Sequence, residues 1–294
     1  MSASRILITG GGGQLASDLE SQLRGGADVI APSREDLDVS DDAAVEAIFA
    51  AHRPSLLLNC AAFHNVEVCE REEDRSFEVN ARAVKRLAQR CAAADARFVH
   101  LSTNYVFDGR APAPYDEGDL PNPRSVYAIS KLAGEHAALA YAPDALVVRT
   151  AGLYGLHGSA SKGGNFVTRM IARAREQGAL NVVADQLLTP TFTGDLAAGI
   201  LAAVDAELTG TLHLTNAGAT SWHGFTQAIM ELAGVDVDVA PSSTVIAPGA
   251  ADRPLNGVLR SSAWERAGLE PMRPWRDALA DYLQRAGLLA GVAA

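Results

Sequence analysis

Two residues of this chain have the types and the spacing of a proton-donating pair, Tyr127 and Lys131 in the string SVYAISK (125–131). Positions four apart on a helix lie one turn along the same face, so the phenol and the ammonium would project together. A positive charge beside a phenol favours the phenolate and lowers its pKa from about 10. Such a pair can hand a proton to a carbonyl oxygen while hydride reaches the carbon. Asn122 is placed to cap that helix, and Pro123 to occupy its first turn, where a missing N–H costs nothing. A tyrosine and a lysine on an exposed helix face would show the same spacing, so the surrounding elements must decide.

Those elements alternate. Residues 5–9 (RILIT) form an apolar run that ends in four glycines, Gly10 to Gly13, and helical periodicity follows over Gln14–Arg24. A strand, a glycine turn and a helix aim free backbone N–H groups and a helix dipole at a pyrophosphate. Ala16 stands where a third small residue packs helix against strand, as the dinucleotide fingerprint allows. Further strands are expected at Asp28–Ala31, Ser55–Asn59, Arg97–Leu101 and Ala145–Arg149. The helices between them are expected at Ala43–Ala51, Val66–Ala94 as largely one long helix, and the tyrosine-bearing segment to about Tyr141. Apolar strands separated by helices predict a doubly wound α/β fold with a parallel sheet covered on both faces. Its ligand then belongs at the carboxyl ends of the strands, where Gly10, Ala61, Thr103 and Thr150 all fall.

After Thr150 the rhythm breaks. A glycine-rich loop over 152–164 precedes helices expected at Asn165–Gln177, Thr193–Val204, Trp222–Ala233 and Trp275–Ala286, with a strand at Thr211–Thr215. The expected division is a Rossmann-type dinucleotide-binding domain over 1–150, also receiving parts of 189–216, and a smaller substrate-binding lobe made mainly of 151–294.

Composition narrows the class. The chain has 294 residues, 48% of them hydrophobic, and a net charge of −10 with no stripe of Lys and Arg, which argues against nucleic acid. Three cysteines (Cys60, Cys69, Cys91) make no disulfide framework and have no metal-ligand spacing with the histidines, so no metal is expected. No signal peptide and no membrane-spanning run is read, and a cytoplasmic location is expected. The seven histidines read as surface or core residues.

The first 150 residues, through TGGGGQLA, the Asp38 region, NCAA (59–62) and YAISK, resemble the extended short-chain dehydrogenase/reductase superfamily. Within it, nearly the whole chain resembles the dTDP-4-dehydrorhamnose reductase family. STNYVFDG (102–109) is similar to that family's STDYVFDG, NVEVCE (65–70) to its VD-x-x-E segment and RTAGLYG (149–155) to its RT-x-W-x-Y stretch; GGNF (163–166), DQLLTPT (185–191) and RPLN (253–256) recur as well. The resemblance implies an NADPH- or NADH-dependent reductase of a nucleotide-linked 4-keto-6-deoxysugar. In that case Tyr127 protonates the developing alkoxide, Lys131 binds the nicotinamide ribose and lowers the tyrosine pKa, and Thr103 orients the carbonyl.

Cofactor contacts are expected from Gly10, Gly13, Gln14 and Leu15 at the pyrophosphate. By the resemblance, Asp38 and Val39 are expected at the adenine, and Ala61, Ala62, Phe63 and Leu101 along the groove. The second strand ends in Ala31-Pro-Ser33-Arg34, with no acidic residue for a ribose 2′-OH, so Ser33 and Arg34 favour NADPH and its 2′-phosphate. By the resemblance, Glu67, Asn104, Gly152, Asn165, Gln186 and Arg253 are the expected sugar or nucleotide contacts, with Thr103; Arg253 and Lys162 could meet the diphosphate.

Two departures fall among them. Asn104 replaces the family's Asp, and Gly152 replaces its Trp, which is expected to leave room beside the sugar. The family's RP-x-NS-x-LD run is also altered, to NGVLR at 256–260. A different nucleotide sugar, or a non-catalytic role like that of the regulatory subunit of methionine adenosyltransferase, which resembles the same family, stays open. The expected partner is a nucleotide-diphosphate sugar, with no nucleic acid and no membrane, and a homodimer is compatible with the residues.

Overall fold

A computed structural model of the chain describes residues 5–157, 164–245 and 249–291. The apolar strand runs pair as expected. β1 (Arg5–Thr9) leads through the glycines into α1 (Gln14–Leu23), followed by β2 (Asp28–Ile30), α2 (Asp42–His52) and β3 (Leu56–Asn59). Next come α3 (Val66–Arg71), α4 (Glu73–Phe77), a π-helical turn (Glu78–Arg82) and α5 (Ala83–Ala93). β4 (Arg97–Thr103), a short 3₁₀ turn (Asn104–Val106), α6 (Val126–Tyr141) and β5 (Leu146–Thr150) complete this half.

The second half contributes β6 (Leu153–Tyr154), α7 (Phe166–Gln177), β7 (Ala179–Val183), β8 (Leu187–Leu188), β9 (Thr191–Phe192), α8 (Thr193–Asp205) and β10 (Gly210–His213). It ends with β11 (Thr220–Ser221), α9 (Trp222–Ala233), β12 (Asp238–Ser242), α10 (Ser262–Arg266) and α11 (Trp275–Arg285).

Six strands form one parallel sheet in the order β10-β5-β4-β3-β1-β2. The order reverses beside β1, the switch point at which a crevice opens in doubly wound sheets. Both faces are covered. Leu15, Leu19, Leu196 and Ile200 of α1 and α8 pack with Ile8, Leu58 and Val148 on one side. Val45, Phe49, Val84, Leu87 and Ala138 of α2, α5 and α6 pack with Leu7, Leu57 and Val147 on the other. A separate core of Tyr154, Ile171, Phe192, Phe225, Ile229 and Tyr282 holds the second lobe together. Among the described residues no helix is long and apolar enough to cross a membrane.

Two expectations fail locally. Ser125, not Asn122, caps α6, its hydroxyl accepting from the Ala128 N–H, so the helix begins at Val126. Asn122 instead donates to Asp108 at 2.9 Å, and Pro123 lies outside the helix. The segment expected as one helix over Val66–Ala94 is broken at Glu72 and bulges through the π turn at 78–82. That bulge buries Asn80 completely, and its carbonyl lies so close to α6 that a Cβ at Gly134 would sit 2.1 Å from it.

Candidate active site

Strand polarity gathers the ends of β1, β3, β4 and β5 on one edge, and α6 starts beside them. Thr103 ends β4, and its hydroxyl accepts from the Tyr105 N–H at 3.2 Å. It also hydrogen-bonds the Tyr127 phenol, which stabilises the phenolate. Burial acts more strongly in the other direction and raises the Tyr127 pKa, so the phenol is protonated at neutral pH. The ring of Tyr105 stands edge-on to it, with centroids 5.9 Å apart.

Lys131 is only 2% exposed, and burial lowers its pKa to about 8. Its ammonium donates to the Leu101 carbonyl at 2.5 Å and lies 3.3 Å from His100 Nε2. The expected lowering of the Tyr127 pKa by Lys131 is therefore not what governs the phenol; desolvation is.

A polar chain that the sequence did not disclose continues behind the lysine. His100 Nδ1 meets the Asn59 amide at 3.0 Å, and Asn59 Oδ1 accepts from the Thr9 hydroxyl at 2.7 Å. His100 is fully buried between these partners, and desolvation and the Lys131 charge hold it neutral, well below the ordinary histidine range. It is a core residue, as expected, but one in contact with the lysine. Its only sequence signal is a histidine interrupting the apolar run RFVHL (97–101).

Asn80 is the second residue missed. Its amide donates to the Phe63 carbonyl at 2.9 Å and accepts from the Phe63 N–H at 2.8 Å, tying the loop after β3 to the π turn. It also donates to Ser130 on α6 at 3.0 Å. Beneath the same helix, Glu135 and Arg149 form a buried pair at 2.6 Å, and Ser102, next to Thr103, donates to Glu135.

The glycine turn fits a dinucleotide. No side chain caps α1, whose N-cap is Gly13, so first-turn N–H groups beyond Gly13 are left for an anion. A Cβ at Gly11 would lie 2.3 Å from the Ala31 carbonyl, and one at Gly10 3.0 Å from the Ala61 nitrogen, so side chains there would close the cradle. Among the described residues the buried Gln14 Oε1 has no hydrogen-bond partner. Ser33 bridges to Gly11, which brings the loop after β2 against the glycines, while its hydroxyl donates to Asp36 at 2.6 Å. Arg34 is exposed there and makes no ion pair among the described residues. Asp38 accepts from the Ser40 hydroxyl at 2.6 Å, which with the nearby Arg34 and Arg75 lowers its pKa; Val39 is buried in the core beside α2. Ala61, Ala62, Phe63 and Leu101 are half-buried at the ends of β3 and β4. Those residues fit NADP(H).

The expected sugar contacts are mostly engaged with the chain itself. Glu67 pairs with Arg253 at 3.0 Å, and Arg253 also bonds Tyr105. Gln186 donates to Thr244 at 3.0 Å. Asn165 is the N-cap of α7, and its amide also donates to the Gly155 carbonyl and the Tyr282 hydroxyl, each at 2.7 Å. Asn104 donates to the Gly257 carbonyl at 3.0 Å. Gly152 leaves no room, contrary to expectation. Its φ is +58°, and a Cβ would stand 2.8 Å from Leu188 Cδ1 and 3.0 Å from the Thr189 carbonyl. Lys162 and Gly163 lie outside the described residues. Among those described, no group of three or more His, Cys, Asp or Glu could hold a metal ion.

Residues 4–287 match the family model described as the RmlD substrate binding domain. The dTDP-4-dehydrorhamnose reductase of Mycobacterium tuberculosis is 42% identical over 288 residues, covering 96% of this chain and 93% of that protein. The crystal structure of a dTDP-4-dehydrorhamnose reductase from Clostridium acetobutylicum superposes with a TM-score of 0.91 at 38% identity, covering 96% of this chain and 99% of that one. Another, from Bacillus anthracis in complex with NADP, also has a TM-score of 0.91, at 32% identity over 97% of this chain and 99% of that one. The chain belongs to the RmlD substrate-binding-domain family.

Proposed function

We propose that the chain is an NADPH-dependent reductase of a dTDP-linked 4-keto-6-deoxysugar, with dTDP-4-dehydrorhamnose as the substrate assigned. The observation that carries this reading is the meeting of Thr103, Tyr127 and Lys131 at the strand ends that also bear an uncapped glycine turn. Residues 1–150, with part of 189–216, would cradle the cofactor, and the remainder mainly the sugar nucleotide. Gly10, Gly13, Gln14 and Leu15 would hold the pyrophosphate and Arg34 the 2′-phosphate.

Bound NADPH supplies the hydride from its nicotinamide. Burial keeps the Tyr127 phenol protonated until it is needed. As negative charge develops on the sugar oxygen, the phenol gives up its proton, and the Thr103 hydrogen bond stabilises the phenolate that remains. Lys131, fixed between the Leu101 carbonyl and His100, would bind the nicotinamide ribose of the bound cofactor.

Replacing Tyr127 with Phe removes the hydroxyl that carries the proton and leaves the ring in place. NADPH oxidation with dTDP-4-dehydrorhamnose should fall on the order of 10²–10⁴-fold, while the NADPH dissociation constant stays within a few-fold. Turnover close to wild type would show that another group is the acid.

A further inference from the structure

Asn104 and Gly257 stand at two places where the chain departs from the family strings, Asn for Asp in STDY and Gly for Ser in RP-x-NS. The structure joins them. The Asn104 amide, 5% exposed, donates to the Gly257 carbonyl at 3.0 Å. A Cβ on Gly257 would lie 2.2 Å from that same amide nitrogen, closer than any real contact. An Asp at 104 has no hydrogen to donate and would set two acceptors against each other in a buried place. Each departure thus makes sense of the other.

Gly257 belongs to a strap, residues 251–260, that crosses between the two lobes. On one side Asn256 donates from its backbone to Gly109 at 3.0 Å and from its amide to Ala111 at 2.8 Å. On the other, Leu187 of β8 donates to Leu255 at 2.6 Å and accepts from Gly257 at 2.8 Å. Further along, Arg253 reaches Glu67 and Tyr105, whose ring touches Tyr127. The strap therefore borders the crevice that holds the phenol.

We propose that Asn104 is a positioning residue and forms with Gly257 a reciprocal latch that holds this strap against the end of β4, setting the sugar side of the crevice. The proposal rests on the reductase reading for its kinetic effect, but the latch itself can be read without turnover. Gly257→Ala forces the amide aside, and Asn104→Ala removes it. Each single variant should raise KM for dTDP-4-dehydrorhamnose on the order of tenfold, the scale of one buried hydrogen bond lost with its acceptor stranded. The kcat and the NADPH dissociation constant should change by less than about threefold, because Thr103, Tyr127 and Lys131 are untouched.

The deciding variant is the double one. With the amide gone, the added methyl keeps only the Leu187 carbonyl as a close neighbour, at 3.3 Å, so Asn104→Ala/Gly257→Ala should lie close to Asn104→Ala, and well short of the sum of the two single losses, in KM, in unfolding midpoint and in the rate of proteolysis within 251–260. Additive losses in those measurements would overturn the latch. So would a change of preference across a panel of nucleotide 4-keto sugars in Asn104→Ala that Gly257→Ala does not reproduce, since that marks a direct sugar ligand. If the wild type binds NADPH but reduces no 4-keto sugar, the reductase reading falls, and the unfolding and proteolysis couplings still decide for or against the latch.

Discussion

Lys131 carries a charge in a place that resists it, and its replacement by Met gives a measurable consequence. Burial lowers its pKa from 10.5 to about 8. At about 1.36 kcal/mol per unit, holding the proton in the folded state costs about 3 kcal/mol. The sign follows from proton counting. Below pH 8 both folded and unfolded chains hold the proton, and the cost is present in full. Between about pH 8 and 10.5 the unfolded chain still binds it while the folded chain has released it, so stability rises with pH.

Methionine removes this dependence and fills a similar volume, but strands the Leu101 carbonyl, at about 1–3 kcal/mol. At pH 7 the variant should therefore lie within a few kcal/mol of wild type. The difference in unfolding free energy, wild type minus Lys131→Met, should then climb by about 3 kcal/mol from pH 7.5 to 10.5. Urea unfolding followed by the fluorescence of the three tryptophans measures it. Tyrosines and cysteines away from Lys131 are shared by both proteins and cancel, and Cys60, whose thiol the Lys131 charge touches, is pushed up by burial to about 12, above the range measured. A difference flat to about 0.5 kcal/mol would refute the argument that desolvation dominates this lysine.

Other outcomes are fixed by single contacts. Arg34→Ala should raise the NADPH dissociation constant on the order of tenfold, from a charge-assisted contact of about 1.5–3 kcal/mol, and leave NADH unchanged; equal effects in titrations with the two cofactors would place Arg34 away from the phosphate. Glu135→Gln leaves Arg149 charged and uncompensated in the core, so unfolding should cost about 3–5 kcal/mol less, and an unchanged urea midpoint would contradict that pairing. Gly152→Ala combines a φ of +58° with the contact at Leu188 and should destabilise by about 1–3 kcal/mol; a stable variant would mean that Leu188 and Pro190 yield easily.

The parallel sheet was legible because each strand is a short run rich in apolar residues closed by glycine, proline or a polar residue, and such runs have few other uses. The helix ends were less so. Asn122 and Ser125 are both good caps by residue type, and the choice is made by Asp108, which takes the Asn122 amide, and by Ala128, whose N–H faces Ser125. The break at Glu72 and the π turn carry no proline or glycine to announce them. They arise where Asn80 must reach Phe63 and Ser130 at once, a demand set by residues 17 and 50 positions away.

The reacting groups and the sugar rim were legible to different degrees for one physical reason. Tyr127 and Lys131 are recognised by their spacing along a single helix, and local spacing survives folding. Asn104, Asn165 and Arg253 are read as contacts only through the family resemblance, on the strings STNYVFDG, GGNF and RPLN. Yet a polar side chain looks the same in sequence whether its partner is a sugar hydroxyl, a helix terminus or a carbonyl 153 residues away, as for Asn104 and Gly257. The Gly257 bond takes one of the two hydrogens on the Asn104 amide nitrogen and leaves Oδ1 with only a long contact from Thr103, at 3.4 Å. A sugar hydroxyl that engaged those remaining groups would leave the latch closed. One that drew the amide away would strand the Gly257 carbonyl at about 1–3 kcal/mol, against about 0.5–1.5 kcal/mol returned by a new neutral hydrogen bond. On the latch reading, position 104 therefore acts on sugar selectivity by fixing where the strap lies while the latch stays closed.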